Sequence, residues 1–72
     1  MKKIKKIKIK INGKIKTITE QLTLAKLVTD LKIPLNKVAI ELNQEIIDKK
    51  KTSNIKLKND DKIEIVHFIG GG

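Results

Sequence analysis

Ile7-Lys8-Ile9-Lys10-Ile11-Asn12-Gly13 is an alternating run of isoleucine and lysine that stops on an Asn-Gly pair. A period of two is the mark of a strand with one buried face, so Ile7, Ile9 and Ile11 are expected to point inward and the lysines toward water. Asn-Gly is the strongest two-residue hairpin signal, because both central residues of a type I′ turn need positive φ. A second strand is predicted from about Lys14 to Thr19. In it Ile15 and Ile18 have opposite parity, which calls for a bulge or a partly exposed Ile18.

Outward from this hairpin the period changes. Leu24, Leu27, Val28 and Leu31 recur at i, i+3, i+4 and i+7, with Thr23 placed to cap, so a single amphipathic helix is predicted. Pro34 cannot continue it and biases Ile33 away from helical geometry, which ends the helix by about Lys32. Val38, Ile40 and Leu42 alternate as a third strand, and Asn43-Gln44 leads into the apolar pair Ile46-Ile47 as a tighter hairpin. Lys49 to Asn54 is polar without apolar periodicity and reads as an exposed connection. Asn59-Asp60-Asp61 signals a turn before a last strand from Lys62 to about Phe68, with Ile63 and Ile65 facing the core. The order is ββαββ in outline. One helix across one face of a mixed sheet, an α+β arrangement, buries every apolar stripe, and the first and last strands can pair in parallel at the centre.

Length and composition narrow the function. A chain of 72 residues supports one small core and leaves little room for an enclosed active site. We expect one domain over residues 1–72, with a globular body over 1–69 and a tail over 70–72. There is no cysteine, hence no disulfide, thiolate nucleophile or Cys-based zinc site in this sequence. His67 is the one histidine and reads as a surface or edge residue, and the carboxylates form no calcium-loop pattern, so no metal is expected. Thr52 and Ser53 lack a nearby base. No stretch approaches the ~18 apolar residues of a spanning helix, so a soluble, cytoplasmic protein with no membrane role is expected.

Seventeen lysines against eight carboxylates give a formal net charge of +9, and eight of the lysines lie within the first 16 residues. Such an end invites a nucleic-acid reading. Arginine, which makes bidentate base contacts, is absent, and Phe68 is the one Phe, Tyr or Trp available for stacking. Lysine alternating with isoleucine fits the wet side of a strand. On that strand it would act mainly on the rate of encounter with acidic partner surfaces.

Gly70-Gly71-Gly72 has no packing use, and ordered glycine is entropically unfavourable. Its use is thinness. An α-carboxyl at Gly72 is ionised at neutral pH, and the alternative reading of the three glycines is a frayed terminus or a cloning remnant. If Ile63 and Ile65 face the core, Glu64 and Val66 face outward beside Ala39 and Glu41, and Phe68 sits where strand becomes tail. That patch is the expected docking surface.

Val38-Ala39-Ile40-Glu41-Leu42-Asn43-Gln44-Glu45-Ile46-Ile47 and Asp61-Lys62-Ile63-Glu64-Ile65-Val66-His67-Phe68-Ile69-Gly70-Gly71-Gly72 closely resemble the ThiS family of thiamine-biosynthesis sulfur carriers. The likeness runs along the whole chain and is most specific in its last ten residues. It implies a ubiquitin-like β-grasp fold and a protein that is a substrate of other enzymes. In that family an E1-like adenylyltransferase, ThiF-type, joins the terminal carboxylate to AMP from ATP. Sulfur from a cysteine desulfurase then replaces the adenylate. A ThiG-type thiazole synthase consumes the resulting thiocarboxylate, and the carrier binds no cofactor of its own. By this resemblance Gly72 bears the sulfur, and Gly70 and Gly71 let the terminus thread a narrow channel on the partner. Where the family often has Asp-Gly-Asp before its last strand, this chain has Asn59-Asp60-Asp61. It also lacks the aromatic often found in the preceding connection, and its lysine excess is no family mark. Carriers for molybdopterin or for tRNA thiolation share the fold and the tail chemistry. A basic nucleic-acid-binding or adaptor module without covalent chemistry is the alternative from a different class.

Overall fold

The computed structural model describes residues 5–68. Strands β1 (Lys6–Ile11) and β2 (Lys14–Thr19) pair antiparallel around Asn12 and Gly13, whose φ values of 50° and 83° are the left-handed pair that the turn demands. The ladder runs without a bulge from Lys6 opposite Thr19 to Ile11 opposite Lys14. A two-residue loop fixes this register, so the two isoleucines of β2 must part. Ile18, opposite Ile7, is 7% exposed in the core, and Ile15, opposite Lys10, is 67% exposed on the outer face. The bulge and the exposed Ile18 that parity suggested are therefore both replaced by an outward Ile15.

Helix α1 (Leu24–Asp30) begins on Thr23, whose Oγ1 accepts from the Lys26 amide at 3.1 Å. It places Leu24, Leu27 and Val28 in the core. It ends two residues before the predicted limit because Lys32 turns to φ 59°. The Lys32 amide then donates to the Thr29 carbonyl and the Ile33 amide to that of Val28, the paired bonds of a Schellman cap with lysine at the position glycine usually takes. After Pro34 a short 3₁₀ turn, Leu35–Lys37, leads into β3 (Val38–Leu42). Asn43 and Gln44, both at positive φ, turn the chain into the two-residue β4 (Glu45–Ile46).

The segment expected to be an exposed connection is an ordered 3₁₀ helix, Lys49–Asn54. The Asp48 carboxylate accepts from the Lys50 amide at 2.9 Å. Thr52 is 2% exposed and its Oγ1 donates to the Lys49 carbonyl. A buried hydroxyl satisfied by the local backbone leaves no periodic apolar signal, which is why the order was invisible in sequence. Leu57 follows into the core, held by a bond from its amide to the Leu22 carbonyl.

The last strand, β5 (Lys62–His67), takes the centre of a five-stranded sheet of order β2-β1-β5-β3-β4, parallel to β1 and antiparallel to β3. Ile9, Ile18, Val38, Ile40, Ile63 and Ile65 of the sheet meet the helix residues and Leu57 in one aliphatic core. The parallel pairing is short, Lys10 with Lys62 and Ile11 with Ile63, because β1 stops at its turn. Beyond it the Asn12 carboxamide takes over. The Ile65 amide donates to Asn12 Oδ1 at 2.7 Å, and Asn12 Nδ2 donates to the Ile65 carbonyl at 3.2 Å. Asn43 does the same at the other end of β5, accepting from the Lys62 amide at 2.9 Å and donating to Asp61 at 3.0 Å. Among the described residues no helix is long and apolar enough to cross a membrane.

Asn12→Gly tests the side-chain clamp without straining the turn, since glycine accepts φ near 50°. It is expected to lower stability by about 1–3 kcal/mol, the range for partly buried backbone groups losing their partners. A shift in urea midpoint corresponding to less than about 0.5 kcal/mol would mean that water replaces the carboxamide.

Candidate functional site

The pleat of β5 sorts its side chains. Ile63 and Ile65 turn into the core, and Glu64 and Val66 turn out. On β3, antiparallel beside it, Val38 and Ile40 turn in while Ala39 and Glu41 occupy the outer face. Register brings them together as expected: Ala39 lies opposite Val66 and Glu41 opposite Glu64. The row extends one strand further, since Ile46 of β4 lies opposite Glu41 and is 80% exposed. Ile46 was read as half of a hairpin's apolar pair. The two-residue Asn43-Gln44 turn sets Glu45 opposite Leu42, so Ile46 falls on the outer face, a parity that turn length would have given.

Phe68 closes the patch. Its amide donates to the Lys37 carbonyl at 3.0 Å, so the backbone is held against the strand system as far as this residue. Its ring is 56% exposed, and Lys49 Nζ lies 4.9 Å from the ring centroid, a cation–π contact that orients it. Val66, at 58% exposed, lies between Phe68 and the glutamates. The result is an apolar strip of Ile46, Ala39, Val66 and Phe68 along an acidic pair, ending where the chain leaves the sheet. Gly70, Gly71 and Gly72 lie outside the described residues.

The acidic pair is electrostatically unfavourable. Glu41 and Glu64 are directly opposed like charges, and among the described residues the one ion pair is Lys26 with Asp30 at 3.0 Å on the helix. His67, exposed on the other side of β5, stands opposite Val38 at the sheet margin. Among the described residues no three His, Asp or Glu side chains gather as metal ligands would.

The family model for ThiS matches residues 9–72, which includes the patch, the clamp asparagines and the glycine tail. The chain belongs to the ThiS family. The sulfur carrier protein ThiS of Bacillus subtilis is 37% identical over 65 residues, spanning 89% of this chain and 98% of that one. The crystal structure of the thiamine biosynthesis protein ThiS from Geobacter metallireducens superposes with a TM-score of 0.80 at 30% identity, covering 92% of this chain and 100% of that one. The fold is thus the ThiS β-grasp. A thiazole synthase of Paramagnetospirillum magneticum is 38% identical over 66 residues, which span 92% of this chain but only 20% of that enzyme.

A surface kept at the expense of stability should become more stable when it is neutralised. Glu64→Gln is expected to stabilise the protein by about 0.2–1 kcal/mol, the scale of an opposed cross-strand pair. The gain should shrink as salt is raised. Thermal melts at low and high ionic strength check it, and unchanged melts would mean that the two carboxylates already avoid each other.

Proposed function

We propose that the Gly72 carboxylate is the group on which sulfur is carried, and that Ala39, Glu41, Glu64, Val66 and Phe68, with Ile46, form the surface by which partner enzymes grip the body while the tail reacts. Supporting this is one observation above all: the exposed apolar and acidic strip lies on the strand that leads directly into Gly70-Gly71-Gly72, with the backbone tied down as far as Phe68. A partner that binds the strip therefore receives the tail at a defined starting point.

The chemistry follows from the carboxylate. It is a stable anion, and direct displacement of its oxygen would expel oxide. An E1-like adenylyltransferase solves this by letting a carboxylate oxygen attack the α-phosphorus of ATP, releasing pyrophosphate and leaving an acyl adenylate. The terminal sulfur of a persulfide, generated by a cysteine desulfurase, attacks the acyl carbon and AMP departs with the oxygen; a thiol reductant then cleaves the S–S bond of the resulting acyl disulfide and leaves the thiocarboxylate. The net change is one carboxylate oxygen replaced by sulfur. A ThiG-type thiazole synthase is the proposed consumer of that sulfur, a reading supported by the carrier-like segment within the thiazole synthase relative. ATP is bound by the partner and not by this chain. Gly70 and Gly71 thread the partner's channel because a backbone without Cβ passes where any other residue is too wide.

With a ThiF-type enzyme, ATP and sulfide, the intact protein is expected to gain the mass difference of sulfur for oxygen, localised to the C-terminal peptide. Deleting Gly72, or extending the chain beyond it, is expected to abolish the change while leaving the circular dichroism native. Conversion of the extended protein would overturn the assignment.

Docking is tested separately. Val66→Asp and Phe68→Ala are expected to weaken binding to the adenylyltransferase or thiazole synthase by about 1–3 kcal/mol, as loss of a central apolar contact does, with folding intact. Unchanged affinities in calorimetric titrations of both variants would remove the patch from the interface.

A further inference from the structure

The outer face of the sheet carries a second feature, away from Phe68. Lys6, Lys8 and Lys10 of β1 alternate onto that face, and the parallel register sets Lys62 of β5 beside Lys10. Ile15, opposite Lys10 on β2, stands exposed among them. Lys8, Ile9, Lys10, Ile15, Asp60 and Lys62 line a shallow recess of about 220 Å³. Three ammonium groups face one carboxylate there, and none of them forms an ion pair among the described residues. Lys62 lies four residues before Val66 on β5, ~13 Å at the ~3.3 Å rise of a strand, and Lys8 and Lys10 are set off by a strand's width as well. One sheet face thus presents an acidic and apolar end beside Phe68 and a basic end with an aliphatic centre remote from it.

We propose that this lysine face is a second docking surface, engaged by an acidic protein surface on the enzyme that adenylates the tail. The inference rests on the carrier reading above. Charge complementarity defines the occupant: like-charged surfaces are repelled, and a surface carrying Asp and Glu pairs with the four lysines. The exposed Ile15 and the aliphatic lysine stems favour a protein over a nucleic acid, because they offer an apolar anchor inside a charged rim. The face has no aromatic side chain for base stacking. A second copy of this chain is disfavoured by the mutual repulsion of two bodies each of formal charge +9.

Two opposed charges on one face do what a single patch cannot. A partner held only at Val66 and Phe68 is free to pivot about the tail base. Adding the lysine contact fixes the strand direction relative to the partner, so the glycines are aimed along one line. Because the lysines are not the reacting group, they affect capture and orientation and leave the chemistry alone.

The test uses the full-length protein and its cognate adenylyltransferase, reading pyrophosphate exchange against carrier concentration. Lys8→Glu/Lys10→Glu/Lys62→Glu is compared with Lys32→Glu/Lys50→Glu/Lys56→Glu, an equal charge change at exposed lysines off the strands. The first triple is expected to raise KM by at least ~10-fold, with kcat unchanged at saturation and a flatter dependence of kcat/KM on salt, the mark of lost electrostatic capture. The second is expected to shift KM by less than ~3-fold by the same reasoning. The neutral triple Lys8→Gln/Lys10→Gln/Lys62→Gln, with melting curves for all variants, separates lost contact from lost fold. Equal effects of the two reversed triples would reduce the face to net charge and overturn the proposal. An unchanged KM for the first triple, with or without loss of binding to a single-stranded RNA oligonucleotide, overturns it too. Absence of exchange with the wild-type protein at any concentration would instead be a failure of the carrier reading.

Discussion

A strand at the centre of a sheet must have both of its hydrogen-bonding edges satisfied, and β5 meets this requirement with a neighbour that is too short. β1 turns away after Ile11, leaving the amide and carbonyl of Ile65 without a backbone partner on that side. The Asn12 carboxamide carries one acceptor and one donor in the spacing of a peptide group, and it fills the gap. The same residue needs a left-handed conformation to make the hairpin, which asparagine tolerates better than most. Turn and clamp are thus one requirement, and they fix how far β5 runs as strand before it becomes tail.

From that placement follows the division of labour between the two faces. The inner face is closed by α1, the Lys49–Asn54 segment and Leu57 around aliphatic side chains, and nothing in it bears on chemistry. The outer face is uncovered among the described residues, and its charges are not paired off. A sheet selected for stability alone would alternate signs across strands. Here lysine neighbours lysine and glutamate opposes glutamate.

Most of the fold was legible because its signals are local. The period-two runs, the Asn12-Gly13 and Asn43-Gln44 turns, the Thr23 cap and Pro34 gave the strands, the helix and the outward position of Ala39, Glu41, Glu64 and Val66. What escaped depends on the third dimension or on unusual conformers. Ile15 and Ile18 compete on equal terms in sequence, and only the position of the core beneath the hairpin separates them. The end of α1 rests on Lys32 in a conformation with no glycine to announce it. The Lys49–Asn54 helix is held by Asp48 and Thr52 through short side-chain bonds that leave no hydrophobic trace. Lys49 over Phe68 joins residues that no periodicity links.

The joining of Asn12 to Ile65, 53 positions apart, has a consequence for how the protein comes into being. During synthesis the first hairpin emerges early, yet its inner edge and its turn asparagine have nothing to hold until the ribosome has made nearly everything between. A nascent chain lacking β5 has a gap in the middle of its sheet and cannot close its core around Ile63 and Ile65. Folding therefore serves as an inspection of the finished strand. The strand that carries Glu64, Val66 and the lead into Phe68 is the one whose arrival completes the body, so an unfinished molecule presents no ordered strip there.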